Sequence, residues 1–301
     1  MNNIFSDTKE AFSLKSNFEL NRAYFLFKII GNTTVVKITT SITKFALKFN
    51  LPVTFLIKAT VFDHFCGGVS EEDCNPVINK LFKNNVHSVL DFSTEGFNSE
   101  YEFDECLKKK ISIIEFIKNK EEIPFAVFKP TCLGSTELFI KKSLGKKFSE
   151  NEELMWSRVI NRFEKVCKKA YENNIKILIA AEEFDVQKAI DDLAILMMRK
   201  FNLLKPIVFN TVQMYRKDRL AYLNELINNK SNDEVVFGLK LVRGAYMEKE
   251  RQLASERGIE SPICETKNDT DNNFNLGLDF VFNNLERISF VCASNTVDRA
   301  F

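Results

Sequence analysis

The chain has 301 residues, 45% of them hydrophobic, with 42 basic against 41 acidic side chains. That length and apolar content can bury a large core, as one α/β barrel or as two smaller domains. A net charge of +1 removes any electrostatic argument for nucleic acid as a partner. Seven cysteines (Cys66, Cys74, Cys106, Cys132, Cys167, Cys264 and Cys292) contain no CxxC pair, which suits reduced thiols and predicts no metal site. The 29 phenylalanines scatter through the expected elements and read as core filling.

The N-terminus, Met1-Asn2-Asn3-Ile4-Phe5 followed by Asp7 and Glu10, has no apolar signal core and is too acidic for a transit peptide. The longest apolar stretch, near Leu51–Val61, is broken by Lys58 and is too short for a transmembrane segment. The expectation is a cytoplasmic protein, peripheral at most to an inner membrane, or mitochondrial in a eukaryote. Residues 1–80 pattern as an N-terminal helical segment with a turn at Cys66-Gly67-Gly68. No flexible linker follows it, so its helices are expected to pack on what comes next.

From His87 onward, short apolar runs alternate with helical patterns. The runs are His87–Ser93, Pro124–Pro130, Lys176–Glu182, Pro206–Gln213, Gly238–Tyr246 and Ile288–Asn295. Each is too short, and too rich in β-branched or aromatic residues, for a buried helix. Between them, Met155, Val159, Val166 and Ala170 recur at helical spacing, as do Val186, Ile190, Leu193 and Met197, with Asp185 as a possible N-cap. Asn268–Asn275 reads as a loop or a helix start. Alternating strands and helices predict a parallel sheet, here an α/β, (β/α)8 TIM-like barrel over residues 81–301 with about six βα units. The last strands and the final helix are expected to be missing.

Polar residues collect where the runs end: Asp91, Ser93, Thr94 and Glu95; Lys129-Pro130-Thr131; Glu182 and Glu183; Asn210 and Gln213; Lys240, Arg243 and Tyr246; Ser294 and Asn295. The C-terminal rim is where a barrel of this kind carries its active site. Lys129 and Lys240 alternate with apolar neighbours and are expected to point inward. A buried ammonium needs a partner: either a neighbouring carboxylate such as Glu95 or Glu182, or an anionic ligand. The chain has no GxGxxG, no P-loop and no HExxH, and its two histidines, His64 and His87, lie away from the strand ends. Two possibilities stay open on these residues alone. A lysine forms a Schiff base, or the rim positions a cofactor.

The segments Leu90–Gly96 (LDFSTEG), Phe128–Ser135 (FKPTCLGS), Ala181–Asn202, Val208–Leu220 (VFNTVQMYRKDRL) and Gly238–Arg251 (GLKLVRGAYMEKER) resemble, in order, the proline dehydrogenase family. The likeness is to its mitochondrial members and their single-function bacterial relatives, and LVRGAY is its most specific element. The resemblance implies a distorted (β/α)8 barrel that binds FAD at the strand C-termini. It further implies oxidation of L-proline to 1-pyrroline-5-carboxylate and a quinone, or other membrane electron acceptor, as the onward partner.

Carried over by position, the resemblance gives Lys129 the proline carboxylate, makes Glu95 a pocket carboxylate, and sets Gln213, Lys240, Val242, Arg243 and Tyr246 around the flavin. Lys129, Glu95 and Tyr246 are thereby the expected catalytic residues. Lys240 stands where many short relatives have arginine, keeping the charge without the bidentate fork. Three departures accompany the match. Ala180 replaces the usual pocket aspartate, Ala293-Ser294-Asn295-Thr296 lacks the usual histidine, and the helix bearing an arginine pair is not in the chain. They predict little turnover by these 301 residues. The competing readings are a Schiff-base aldolase on a similar barrel and a non-catalytic remnant.

Overall fold

The computed structural model describes residues 8–49, 51–53, 55, 58–92, 96–232 and 234–293. The chain divides into two units, one of residues 1–80 with 296–301 and one of residues 81–295. In the first lie α1 (Asn17–Ile30), α2 (Thr33–Lys48) and all but the last two residues of α3 (Glu71–Phe82). A reciprocal pair of bonds between Ser16 and Glu19 starts α1, satisfying backbone donors that the first turn leaves free. Val35, Ile38, Ile42, Phe45 and Phe49 recur at helical spacing along α2 and its end, and all are exposed.

The second unit opens with β1 (Val89–Leu90), α4 (Glu100–Ile117) and β2 (Phe125–Phe128). Then come α5 (Thr136–Ser143), α6 (Glu150–Glu172), β3 (Lys176–Ile179) and α7 (Phe184–Phe201). The series continues with β4 (Val208–Gln213), α8 (Arg219–Asn228), β5 (Phe237–Val242), α9 (Met247–Arg257), α10 (Lys267–Phe282) and β6 (Ile288–Cys292). The six strands form one sheet in sequence order, and every pairing is parallel. This is the order in which a barrel wall is laid. Ser99 with Glu102, Ser149 with Glu152, and Thr266 with Asp269 cap α4, α6 and α10. The polar run Asn268–Asn275 is therefore helix, not loop.

Five of the six strands lie inside their expected runs, and β5 starts one residue before its run, at Phe237. All but β4, which keeps Gln213, stop short of the polar residues at the run's end, which belong to the turns. β4 is buried along its whole length, as a strand covered on both faces must be. Val186, Ile190, Leu193 and Met197 face the core as expected. Asp185 does not cap α7. Its carboxylate instead pairs with Arg257, and the Phe184 N–H at the start of α7 donates to Glu250 Oε1 at 2.6 Å. Ser93, Thr94 and Glu95 at the end of the first run, and Ser294 and Asn295 at the end of the sixth, lie outside the described residues.

Candidate active site

A cavity of about 320 Å³ opens at the C-terminal ends of β3 to β5 and takes in Ala293 just past β6. The two-residue alternation of strands decides which side chains reach it. Thr211 and Gln213 from β4 line it with Lys240 and Val242 from β5, and Ala180 and the turn Arg243–Tyr246 complete it. Thr211 stands opposite Lys240 and Gln213 opposite Val242 in the sheet register. Strand parity thus carries Gln213, Lys240 and Val242 to one place, and the turn after β5 adds Arg243 and Tyr246.

Burial pushes the Lys240 ammonium below its ordinary value, against an opposing pull from Asp91. Asp91 is itself engaged by Lys110, a buried side chain of α4 that donates to Asp91 Oδ1 and to the Phe92 carbonyl at 2.9 Å each. An aspartate at position 180 would lie in the same cavity as Lys240. With Ala180 there, this lysine keeps a charge that burial disfavours.

Gln213 is 3% exposed. Its Nε2 donates to the Glu182 carbonyl at 3.1 Å, while its buried Oε1 has no hydrogen-bond partner among the described residues. An orphaned acceptor inside a protein costs about 1–3 kcal/mol, which a ligand donor that reached this atom would recover.

Lys129 ends β2 one strand away, at the start of the short helical turn Pro130–Leu133. It is not among the residues lining the cavity, but it acts on Glu182. That carboxyl is buried and accepts from Thr131 N at 2.9 Å and Thr131 Oγ1 at 2.7 Å. Burial raises its pKa, while the Thr131 bonds and the Lys129 charge lower it in part. Of the two carboxylates foreseen for Lys129, Glu182 is the described one and feels its charge. Glu95 lies outside the described residues.

Arg243 donates from Nε to Asp271 Oδ1 at 2.5 Å and stacks over Phe274, 4.5 Å from the ring centre. Both partners belong to α10, so the guanidinium ties that helix to the end of β5. The following Gly244 has φ +139°, and a Cβ there would lie 2.4 Å from the Tyr215 ring. Only glycine lets the RGAY turn close over that ring, and the turn sets Tyr246 at the cavity wall.

The structure corrects one rim assignment. Asn210 is fully buried on the opposite face of β4 and donates from Nδ2 to Asp191 Oδ1 at 2.9 Å and Tyr222 Oη at 3.2 Å. Its parity with Val208 and Val212 was the available signal. Lys110, Gln187, Asp191 and Arg219 also escaped the sequence reading, because each looks like an ordinary polar position of a helix until its burial is known.

The profile describing the proline dehydrogenase family matches residues 74–300. The chain belongs to the proline dehydrogenase family. Among individual relatives, it is 32% identical over 225 residues to the carbapenem antibiotics biosynthesis protein CarD of Pectobacterium carotovorum subsp. carotovorum, covering 75% of this chain and 59% of that protein. Against mitochondrial proline dehydrogenase 1 of Dictyostelium discoideum it is 26% identical, covering 99% of this chain and 60% of that one. The chain thus spans about three fifths of these relatives. In fold it is similar to proline utilization A (PutA) of Bdellovibrio bacteriovorus, with TM-score 0.68 at 21% identity over 79% of this chain and 26% of that one. The parallel sheet is accordingly of the TIM-like barrel type. No described helix is long and apolar enough to cross a membrane.

Proposed function

We propose that this rim binds FAD and holds L-proline against it, for oxidation to 1-pyrroline-5-carboxylate. The observation that carries the reading is the pairing, in one cavity, of an acceptor without a partner, Gln213 Oε1, with a cation that burial disfavours, Lys240. A flavin ring presents both a donor N–H and an edge that gains negative charge on reduction. The donor set therefore fits the cofactor, and membership of the family favours the cofactor branch over a Schiff-base lysine.

When bound, FAD supplies the two-electron acceptor for a hydride from the proline ring. The protein's part is placement and charge. Gln213 accepts a hydrogen bond from the ring edge, and Val242 offers it an apolar contact. Lys240 favours the reduced form by its charge, and an anionic neighbour moves its pKa back toward the ordinary range.

Lys129 holds the substrate carboxylate by charge-assisted hydrogen bonds. Glu182 keeps the Lys129 turn in place through Thr131, and the raised pKa of its carboxyl lessens its competition with the substrate for that cation. Tyr246 closes the wall against which the pyrrolidine ring packs. Orientation of this kind removes entropy from the barrier. A quinone is the onward acceptor in this reading.

The test is a titration of the purified chain with FAD, followed by flavin absorbance and fluorescence, and then by proline-dependent dye reduction. Saturable binding that is lost in Lys240→Met, with proline perturbing the flavin spectrum of the unsubstituted chain but not of Lys129→Met, is the expected result. No flavin binding, or binding indifferent to Lys240→Met, overturns it.

A further inference from the structure

Behind the cavity, on the outer face of the sheet, lies a hydrogen-bonded chain that ends at Gln213. It begins with Arg219 on α8, whose guanidinium donates to Asp191 Oδ2 of α7 at 2.7 Å. Asp191 Oδ1 accepts from Gln187 Nε2 at 2.8 Å and from Asn210 Nδ2 at 2.9 Å. Gln187 Oε1 in turn accepts from the Glu182 N–H at 2.9 Å. The carbonyl of the same residue, Glu182, takes the Gln213 Nε2 donor at 3.1 Å. Asp191, Arg219, Gln187, Asn210, Glu182 and Gln213 are all buried.

The chemistry of each group fixes the orientation of the next. A carboxylate offers acceptors only, so Gln187 and Asn210 both turn their NH2 groups toward Asp191. Asn210 does so at the expense of its own Oδ1, which has no partner among the described residues. With its NH2 committed, Gln187 presents Oε1 to the Glu182 N–H. That bond holds the backbone at Glu182, and the carbonyl of the same residue, in the next peptide unit, takes the NH2 of Gln213. The remaining atom of Gln213, Oε1, is left as an acceptor without a partner among the described residues, on a side chain that lines the cavity.

We infer that Asp191, a residue that does not line this cavity, is a positioning residue that sets Gln213 through Gln187 and the backbone of Glu182. The consequence for recognition is that the site selects a ligand donor, an N–H or O–H, at Gln213 Oε1. The relay itself stands on the hydrogen bonds alone. Its consequence for flavin affinity rests on the reading proposed above.

Asp191→Asn breaks the relay whichever way the new amide turns. If its oxygen faces Arg219, its NH2 opposes the NH2 groups of Gln187 and Asn210, and Gln187 is driven to flip. If its oxygen faces those two, its NH2 opposes the guanidinium. Adding Arg219→Met removes the competing donor, so the oxygen of the introduced amide is free to accept from Gln187 and the original orientation returns. A merely structural role predicts the opposite, since the double variant also loses the pairing of Arg219 with Asp218.

The experiment reads the side-chain amide signals of Gln213 in the 15N-labelled chain, assigned by their loss in Gln213→Ala. Asp191→Asn is expected to shift these signals and speed their hydrogen exchange, and the double variant to return them toward their original positions. FAD affinity should follow the same order, falling about tenfold in Asp191→Asn and recovering in the double variant. If Asp191→Asn does not fold, Gln187→Met removes one neutral link and should move the same signals. Gln213 signals that superpose on those of the unsubstituted chain in the folded variant overturn the relay. A chain that binds no FAD at all overturns the flavin reading instead, while the amide signals still decide the relay.

Discussion

The two faces of β4 hold polar groups in opposite states. On the outer face Asn210 joins Asp191 and Arg219 in a buried lattice whose charges are paired. On the inner face Gln213 keeps an acceptor with no partner and Lys240 a charge that burial disfavours. Both faces cost free energy to desolvate; the outer one pairs its charges within the chain, although Asn210 Oδ1 has no partner among the described residues there either. Polarity alone does not mark a site in this sheet. A charge that burial disfavours, set at a cavity, does.

The largest expected test of that contrast is on the outer face. Arg219→Met leaves the Asp191 carboxylate buried without its cation, and should cost about 3 kcal/mol in a denaturant melt, toward the low end for breaking a buried pair. A cost below about 1 kcal/mol would place that pair with exposed ones and break the comparison. Next in size is Gly244→Ala, which puts a Cβ against the Tyr215 ring at an unfavourable φ. A loss of about 1–3 kcal/mol, with weaker flavin binding, is expected from thermal melts and titration.

Lys240→Met should act in the other direction. The folded-state pKa of Lys240 is depressed by burial, so the ammonium weighs against folding below that value. The stability associated with the neutral amine is present above the ordinary 10.5 and is lost as pH falls through the folded value. The substitution should therefore raise the melting temperature at pH 7, and the gain should vanish above pH 10.5. A gain that is independent of pH would mean that packing, not charge, is responsible. The smallest effect on stability belongs to Gln213→Leu, which removes the orphaned acceptor and should change the melt by less than about 1 kcal/mol. Its expected signature is a fall in FAD affinity of about tenfold or more.

Six parallel strands were legible in the sequence because short β-branched runs alternated with amphipathic stripes. The capping pairs Ser99-x-x-Glu102 and Ser149-x-x-Glu152 are equally plain in it. Strand ends were not legible, since a polar residue extends an apolar run on paper but begins a turn in space. The inner rim followed from parity and from the LVRGAY match. Asn210 shared its parity with Val208 and Val212, which would have placed it outside. Gln187 and Asp191 sit four residues apart on the same α7 stripe as Ile190, a signal that two polar residues were buried together. Glu250 at the start of α7 carried no local signal. It comes from another helix 66 residues away, and only tertiary structure brings it there.

The strict sequence order of the strands also bears on how the protein is made. Each strand pairs with the one formed just before it, from Phe209 with Gly238 at the shortest to Phe125 with Lys176 and Phe237 with Ile288, equally, at the longest. No described strand waits for a distant partner, so every addition closes a loop of modest entropy cost. A ribosome releasing this chain could have the growing edge templated by the strand already in place. Nascent βα units would then dock one at a time, and the polar lattice behind β4 would lock only when α8 emerges.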